Sequence, residues 1–474
     1  MSQTSPVGSP AAPSMAAKTL RGILAGPIVP TLLRLALPTI VVLVVQTLVG
    51  VLETYFVGFL GTDALAGTAL VFPVLMLMQM MSNGGIGGGV ASAVARAIGA
   101  GRHADAEALV WHAVVLACIF GMAFTVLAIA GGPLLYRAMG GAGGALAAAL
   151  TYSNIIFAGS ILLWIVALLS SVLRGAGNVR VPALITLAGA VLLVPLSPAL
   201  IFGWGVFPRL GIAGGGAAVV LYYLLAVLML VVFMRSRQSP VKLTIAPLSG
   251  RLFRDILGVG LLSAIGTVQA NLTVAFITAA VGHFGADAIA GYGIASRLDY
   301  MQIPLLFGLG TGLVTMVGIN IGAGQVVRAR RIAWTGAAIA FGVTELIGLL
   351  AASFPRAWLS LFTASPHVLD TGTLYLRTVA PFYGAIGIGM ALYFAGQGAK
   401  RVVAPLLAGT VRLIVAVLIG WLSVVWLGAG LPTLFAIVAA SALLFGGFIA
   451  IATFAGAREA TLPSRSALQP DAAE

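Results

Sequence analysis

The segment Val57-Gly-Phe-Leu-Gly-Thr-Asp-Ala-Leu-Ala-Gly67 recurs 224 residues later as Val281-Gly-His-Phe-Gly-Ala-Asp-Ala-Ile-Ala-Gly291. Seven of the eleven positions are identical in the two copies. The match continues at an offset of 223, where Ile98-Gly-Ala-Gly101 corresponds to Ile321-Gly-Ala-Gly324. A near-constant offset over this length indicates a chain that is built from two related halves.

The composition decides what surrounds these halves. Of the 474 residues, 60% are hydrophobic and 8% are charged, so most of the chain must lie in lipid rather than water. Apolar runs of the roughly 18 to 20 residues that cross a bilayer as helix recur along the chain. They predict about twelve spans, with approximate limits 30–58, 64–94, 108–131, 146–172, 181–203, 211–234, 256–281, 287–318, 332–354, 371–397, 403–427 and 431–456.

The predicted fold is an all-α integral membrane protein with two pseudo-symmetric six-helix lobes and a central cavity. Because each repeat holds an even number of spans, both halves enter the membrane from the same side and are related by an axis along the membrane normal. The predicted divisions are a disordered cytoplasmic tail (1–27), an N-lobe with helices 1 to 6 (28–234), a cytoplasmic linker (235–255), a C-lobe with helices 7 to 12 (256–456) and a second cytoplasmic tail (457–474).

The distribution of the basic residues explains the net charge of +13. They gather in alternate loops, which the positive-inside rule places in the cytoplasm together with both termini. The charge is therefore a topology signal, and a nucleic-acid partner is not predicted. The loop clusters are Lys18, Arg21 and Arg34; Arg96 and Arg102; Arg174 and Arg180; Arg235, Arg237, Lys242, Arg251 and Arg254; Arg328, Arg330 and Arg331; Lys400 and Arg401; Arg458 and Arg465.

Ionisable residues inside spans are functional candidates, because each costs roughly 2.5 to 3.5 kcal/mol to insert. They are Glu53, Arg297, Asp299, Glu345, Arg377 and Arg412. Glu53 lies ten residues before Asp63 and Arg297 ten residues after Asp287, so both are expected ~15 Å from the outer surface, near the midplane. Glu345, Arg377 and Arg412 are interpreted as packing or snorkelling charges nearer the helix ends.

Glu53 is the main candidate for coupling transport to an ion. Desolvation favours the neutral form of a carboxyl group, so it can take up and release protons near neutral pH. Asp299 is the second ion-coupling candidate. A sodium ion would need backbone carbonyls or amides in place of a carboxylate cage, so a proton is expected. A static Glu53 to Arg297 pair, or an Arg297 to Asp299 pair that only locks the bundle, is the structural alternative.

Polar and aromatic residues within the spans are candidates for binding a flat organic cation by stacking and cation–π contacts. Interhelical hydrogen bonding is the alternative reading for each of them. Together with Arg297, the substrate candidates are Gln46, Asn154, Gln269, Asn271, Tyr300 and Tyr383.

Several short segments resemble the multidrug and toxic compound extrusion (MATE) transporters of the multidrug/oligosaccharidyl-lipid/polysaccharide exporter superfamily. They are Leu37-Pro38, Gln46-Thr47 and Glu53-Thr54; Gly61-Thr-Asp-Ala-Leu-Ala66; Ala95-Arg96-Ala-Ile-Gly-Ala-Gly101; Arg174-Gly-Ala-Gly177; Ile294-Ala-Ser-Arg297-Leu-Asp299; and Val317-Gly-Ile-Asn-Ile-Gly-Ala-Gly324. The resemblance covers roughly residues 30 to 430.

The resemblance implies a twelve-helix, V-shaped fold that exports drugs or metabolites in exchange for protons or sodium. It places the family's first-span acidic residue on Glu53 and its eighth-span Arg-x-acid pattern on Arg297 and Asp299. Span 5 has Leu193 and Ser197 where many members carry Asn and Asp, and span 7 has Ala270 where one sodium-coupled branch carries Glu. Glu53 is therefore expected to bear more of the coupling.

These observations predict a proton-coupled antiporter of the inner membrane that exports cationic or amphiphilic compounds. It is expected to act as a monomer in the bilayer, without a cofactor. A flippase for a lipid-linked saccharide or another lipid is the alternative within the superfamily. A membrane-embedded enzyme is disfavoured because the four histidines lack metal-ligand spacing and no hydrolase or P-loop motif occurs.

Overall fold

A computed structural model of the chain describes residues 15–205 and 207–459. Within these residues, eleven helices are long and apolar enough to cross a membrane, and a bent pair at 143–175 brings the number to twelve. The predicted all-helical fold of about twelve spans is thus confirmed. Helices are the expected solution, because a helix satisfies its own backbone hydrogen bonds in lipid.

The first half of the chain contains six spans. A short helix, α1 (Met15–Ala25), precedes them. The spans are α2 (Ile28–Gly58); α3 (Thr62–Met80), which continues through a π-helical turn (Met81–Ile86) into α4 (Gly87–Gly99); α5 (His103–Ala138); the bent pair α6 (Gly143–Ala158) and α7 (Ser160–Gly175); α8 (Arg180–Phe202); and α9 (Ile212–Arg235).

The second half repeats this order. Its spans are α10 (Gly250–Gly282); α11 (Ala286–Gly322); α12 (Val326–Ser353); α14 (Pro366–Val379), which continues through a short 3₁₀ turn into α15 (Tyr383–Gly398); α16 (Val403–Leu413), which continues through a π-helical turn (Ile414–Ile419) into α17 (Gly420–Val425); and α18 (Leu431–Glu459). A one-turn helix, α13 (Pro355–Leu359), lies in the connection between α12 and α14.

Successive spans run in opposite directions, so their connections fall on two faces. The basic face carries the connections at 99–103, 175–180, 235–250, 322–326 and 398–403, which contain clusters of Lys and Arg. The far face carries the others. The repeated segments 57–67 and 281–291 both lie at the far face. In these segments, Gly61 and Gly285 adopt a left-handed backbone, with φ of 103° and 96° respectively. Glycine occupies both copies because a side chain is strained in this conformation.

The predicted tail and linker need correction. Residues 1–14 lie outside the described residues, but residues 15–25 form α1 rather than a disordered segment. The helix forms because its apolar residues pack: Ile23 is buried in the same cluster as Leu32 and Leu313. Residues 250–255 of the predicted linker belong to α10. The second tail starts within α18, which reaches Glu459, and its residues 460–474 lie outside the described residues.

The basic-face halves of α2 and α10 each pack on the opposite lobe. Leu32 and Leu35 of α2 belong to a cluster that consists mainly of C-lobe residues. Leu252 and Ile256 of α10 belong to the N-lobe cluster. The two lobes are thus interlocked on the basic face by a symmetrical exchange of helix ends.

Candidate functional site

The lobes meet through glycines that occupy equivalent positions in the repeat. A Cβ atom on Gly99 would lie 2.0 Å from the Ile319 carbonyl oxygen, and a Cβ atom on Gly322 would lie 2.2 Å from the Arg96 carbonyl oxygen. Gly89 likewise packs closely against the Ile256 carbonyl oxygen. Gly312, which occupies the equivalent position in the other repeat, packs against Leu32. Small residues let helix backbones approach closely in lipid. The basic face is therefore closed in this structure by backbone contact between the lobes.

An ionic cluster seals the same face. Arg96 of α4 donates to the Asp255 carboxylate of α10 at 3.0 Å, and Lys400 approaches the same oxygen at 2.5 Å. Arg96 also donates to Ser92, whose hydroxyl donates to the Gln397 carbonyl oxygen across the lobe boundary. Lys400 adopts a left-handed backbone, φ 61°, at the position where the first repeat has Gly177. A strained position of this kind persists only where its surroundings hold it.

Replacing Asp255 with Asn should loosen this closure. The substitution leaves Arg96, whose side chain is only 10% exposed, without its counter-ion. Removing one partner of a partly buried pair is destabilising, so we expect a roughly tenfold fall in the ratio of closed to open basic face. Spin labels at Arg180→Cys and Val403→Cys, in a Cys118→Ser background, report the distance between the two lobes.

The control for this experiment is Asp370→Asn. Asp370 lies 3.8 Å from Arg356, and both side chains are largely exposed, at 69% and 74%. An exposed pair contributes about 0 to 1 kcal/mol, so this variant should keep the distance distribution of the wild type. An unchanged distribution in Asp255→Asn would show that the ionic cluster does not hold the lobes.

Gln397 forms a second link between the lobes. Its side-chain amide donates to the Gly84 carbonyl oxygen of the N-lobe at 3.1 Å and to Ser263 Oγ at 2.9 Å. Gly84 belongs to the π-helical turn, where an extra residue in the turn disturbs the regular backbone bonding. Gln397 also lines a small, mainly apolar cavity, to which Asn83, Ser171 and Arg174 contribute polar side chains.

Glu53 lies inside the N-lobe. One of its carboxylate oxygens, Oε1, is buried and has no hydrogen-bond partner. Ser197 of α8 lies close to the carboxyl group, and Tyr152 of α6 lies within electrostatic range of it. Glu53 is five residues from the end of α2, about 8 Å along the helix, so it is closer to the far face than the sequence suggests. The sequence estimate failed because Asp63 belongs to the next helix, beyond the turn at 59–61.

The other N-lobe candidates are divided. Gln46, two helical turns before Glu53 on α2, lies beside Tyr222 of α9. Gln46 is exposed, whereas Glu53 is half-buried. Asn154 lies on an exposed stripe of α6, apart from this group.

Arg297 and Asp299 point in different directions on α11, as their separation of about 200° requires. Arg297 is exposed, and its guanidinium lies over the Phe362 ring of the far-face connection at 5.6 Å. Among the described residues, neither Glu53 nor Asp299 lies within ion-pair distance of Arg297. Neither static pair considered from the sequence is formed in this conformation.

Asp299 lies in a polar core of the C-lobe. Tyr375 of α14 donates its hydroxyl to Asp299 Oδ2 at 2.6 Å, while Asp299 Oδ1 is buried without a partner. Tyr383, which is 1% exposed, and Arg412 of α16 lie close to the same carboxyl group. Glu53 and Asp299 therefore occupy separate lobes rather than one shared cavity.

The remaining substrate candidates also separate. Gln269 donates to Thr410 Oγ1 at 2.8 Å within the C-lobe. Asn271 is exposed and contacts Met80 Sδ of the N-lobe at 3.7 Å, so it lies between the lobes. Tyr300 is 50% exposed, on the same stripe of α11 as Arg297. The structure thus brings Asn271, Tyr300 and Arg297 to exposed surfaces and places Gln269 and Tyr383 inside the C-lobe.

Sequence reasoning missed several members of the two polar cores. Tyr152 and Tyr375 carry no unusual local pattern, because a tyrosine in a span is usually a packing residue. Arg412 was placed near a helix end, whereas it lies nine residues into the span and within electrostatic range of Asp299. Its position inside an apolar span was the available signal. Ser197 was noted only as a departure from the family pattern, and it lies at Glu53.

The fold and these charges define a polytopic membrane protein with two repeated six-span lobes, a closed basic face and carboxyl groups within the spans of both lobes. The sequence matches the family model described as MatE over residues 38–199 and 263–422. The chain therefore belongs to the MatE family, whose members are transporters.

Similar proteins agree with this assignment. The chain is 26% identical over 403 residues to an "FAD transporter" of Shewanella oneidensis, covering 85% of this chain and 89% of that protein. It is 28% identical over 380 residues to a "Probable multidrug resistance protein NorM" of Thermotoga maritima, covering 79% and 81%.

Solved structures share the fold. One described as "Crystal structure of MATE in the bent conformation" superposes with a TM-score of 0.85 at 24% identity and covers 95% of this chain and 100% of that one. A superfamily transporter from Pyrococcus furiosus, described as having a binding pocket of reverse polarity, gives a TM-score of 0.83 at 24% identity, covering 94% and 98%.

Proposed function

We propose that this protein is a proton-coupled antiporter that exports small amphiphilic compounds by alternating access. The observation that carries the proposal is the Glu53 carboxyl group, which among the described residues has a buried, unpaired oxygen and no cationic partner. A carboxylate in this setting is costly unless it binds a proton or another cation. Glu53 is the proposed proton carrier of the N-lobe, and Asp299 is its counterpart in the C-lobe.

A proton is favoured over sodium by the groups around Glu53. The groups that act on it among the described residues are Ser197, which lies close, and Tyr152, which lies within electrostatic range, and neither is a carboxylate. Within the described residues, no three His, Cys, Asp or Glu side chains gather into a metal-binding group. A hard cation such as sodium prefers several oxygen ligands, whereas one carboxyl group suffices for a proton.

The orientation follows from the charge distribution. We infer that the basic face lies in the cytoplasm and that both termini are cytoplasmic, in agreement with the positive-inside rule. With the basic face closed, Glu53 near the far face is in a position to exchange protons with the outside. Export then requires the lobes to separate on the basic face so that substrate can enter from the cytoplasm.

The exported compounds are the least defined part of the proposal. Multidrug relatives support small organic amphiphiles as substrates. A second candidate is an anionic, cofactor-like compound, because Arg297 is exposed and has no acidic partner within 15–205 and 207–459, and one relative is named as an FAD transporter. A flippase for a lipid-linked saccharide or another lipid would also use cavity arginines, and Arg297 and Arg377 are the exposed arginines among the ionisable residues that we identified inside spans.

Export from proteoliposomes tests the proposal. Vesicles loaded with ethidium are given either a pH gradient without sodium or a sodium gradient at uniform pH. We expect efflux only under the pH gradient, because the proton is the proposed coupling ion. One proton exchanged per substrate supplies about 1.4 kcal/mol per pH unit. Efflux driven only by sodium would refute the proton as coupling ion.

Two further cargoes separate the alternatives. Export of flavin nucleotide but not ethidium under the pH gradient would favour the anionic substrate class. Movement of a labelled lipid headgroup without efflux of either solute would favour the flippase.

A further inference from the structure

The C-lobe holds two ionisable side chains of opposite charge, Asp299 on α11 and Arg412 on α16, that do not bond to each other. Asp299 Oδ1 and Arg412 Nε are both buried and lack a hydrogen-bond partner. The two residues lie within electrostatic range. Among the described residues, no carboxylate oxygen lies within 4.0 Å of the Arg412 guanidinium. The guanidinium instead lies over the Phe445 ring, 5.6 Å from its centroid.

The positions of Asp299 and Arg412 along their helices allow the two side chains to approach each other inside the membrane. Asp299 is thirteen residues from the far-face end of α11, about 20 Å along the helix. Arg412 is nine residues from the basic-face end of α16, about 14 Å along the helix. Both are therefore far from either membrane face along their helices, and an unpaired charge is expensive inside the membrane.

Only one of the two groups can change its charge. Arginine stays protonated in proteins, whereas a carboxyl group can be neutral or charged. A neutral Asp299 has little attraction for a cation, and the guanidinium then gains more from the face of Phe445. An ionised Asp299 would attract the guanidinium strongly, because the two charges lie in a medium of low dielectric constant. The observed separation is the arrangement expected for the neutral acid.

The backbone beside Arg412 provides room for movement. The π-helical turn Ile414–Ile419 begins two residues after it. Such turns are uncommon, often lie at functional sites and relax the regular bonding of the helix. The α16 backbone can thus adjust when the guanidinium moves between Phe445 and Asp299.

We propose that Arg412 is the internal counter-ion of Asp299, and this rests on the proton-coupled function proposed above. When Asp299 releases its proton to water, the guanidinium leaves the Phe445 ring and pairs with the free Oδ1. When Asp299 takes up a proton again, the pair opens and Arg412 returns to the ring. Arg412 is a positioning residue in this scheme, because it never contacts the substrate.

The neighbours of Asp299 are otherwise neutral. The titratable groups that face it are Tyr292 and Tyr300 of α11, Tyr375 of α14 and Tyr383 of α15. Tyr375 donates a hydrogen bond to Oδ2 in the present arrangement and can keep it when the acid is ionised. Arg412 is therefore the single cation that responds to the charge of Asp299 among the groups that face it.

Infrared difference spectroscopy of the full chain in detergent tests the pairing. Acidification produces the carbonyl band of a protonated carboxyl group, and the component that is missing in Asp299→Asn belongs to Asp299. In Arg412→Gln we expect the midpoint of this component to rise by about one to two pH units, because the ionised acid has lost its counter-ion. Arg412→Lys keeps the charge and should restore most of the wild-type midpoint.

The matched control is Arg377→Gln, which removes an exposed arginine from α14 and should leave the midpoint unchanged. If Arg412→Gln fails to fold, Phe445→Leu provides the opposite test. Without the ring, the guanidinium pairs more readily and the midpoint should fall. A wild-type midpoint in the folded Arg412 or Phe445 variant would overturn the proposal.

This measurement needs neither a gradient nor a substrate, so it is independent of transport. A shifted midpoint together with vesicles that show no proton-driven efflux would support the Asp299 and Arg412 pair and refute the transport proposal. Proton-driven efflux with an unshifted midpoint would support the transport proposal and refute the Asp299 and Arg412 pair.

Discussion

Glu53→Gln should abolish export against a gradient while leaving the protein folded. Glutamine keeps the size and polarity of the side chain but cannot bind or release a proton. For one proton exchanged per substrate, the wild type can build up to a tenfold substrate gradient per pH unit, about 1.4 kcal/mol. The variant should build none. The measurement is the steady-state substrate ratio across proteoliposomes under a pH gradient.

Two further variants define the result. Glu107→Gln neutralises an acidic residue near the basic-face end of α5 and should export like the wild type. Glu53→Asp keeps the titrating group on a shorter side chain and should retain part of the activity. Wild-type accumulation by Glu53→Gln would show that the proton is carried elsewhere, with Asp299 as the next residue to change.

Gly99→Ala should prevent the basic face from closing. The added methyl carbon would lie 2.0 Å from the Ile319 carbonyl oxygen, and a backbone atom cannot move aside as a flexible side chain can. Shifting the equilibrium between closed and open lobes from 99:1 to 1:99 takes about 5.5 kcal/mol. The steric overlap of this methyl group is expected to cost enough free energy to shift the equilibrium by that much. We expect the spin labels at Arg180→Cys and Val403→Cys to report separated lobes, with export reduced at least roughly tenfold.

The repeat provides an internal check. Gly322→Ala places a methyl carbon 2.2 Å from the Arg96 carbonyl oxygen, at the equivalent position of the other lobe, and should give the same result. Gly131→Ala is the control, since a Cβ atom there meets nothing within 4 Å. Closed lobes in both interface variants would mean that the glycine contacts are not required for closure.

The sequence predicted the architecture well, because the length of the apolar runs indicates the membrane spans and the internal repeat indicates the two lobes. The offset of 223 between the Ile-Gly-Ala-Gly copies reappears as the reciprocal contacts of Gly99 and Gly322. The helix α1 was missed because its stability comes from packing Ile23 against the C-lobe, which composition does not reveal. The bend at Gly159 and the two π-helical turns were also not predicted, because they depend on packing against neighbouring helices.

The candidate sites were predicted in part. The cost of inserting a charge identified Glu53 and Asp299 as unusual, and both are in polar cores. Their partners could not be predicted, because Tyr375 and Arg412 come from other helices whose rotation is set by packing. For the same reason, the sequence did not show which side chains of its own lobe surround each acid.

The central claim is that Glu53 exchanges a proton for substrate, and proton release on substrate binding tests it most directly. Purified protein in weakly buffered detergent solution is mixed with ethidium near neutral pH, and a pH indicator follows the protons released. The account predicts release by the wild type and a loss of that release in Glu53→Gln. Equal release by Glu53→Gln, or substrate binding by the wild type without any release, would contradict it.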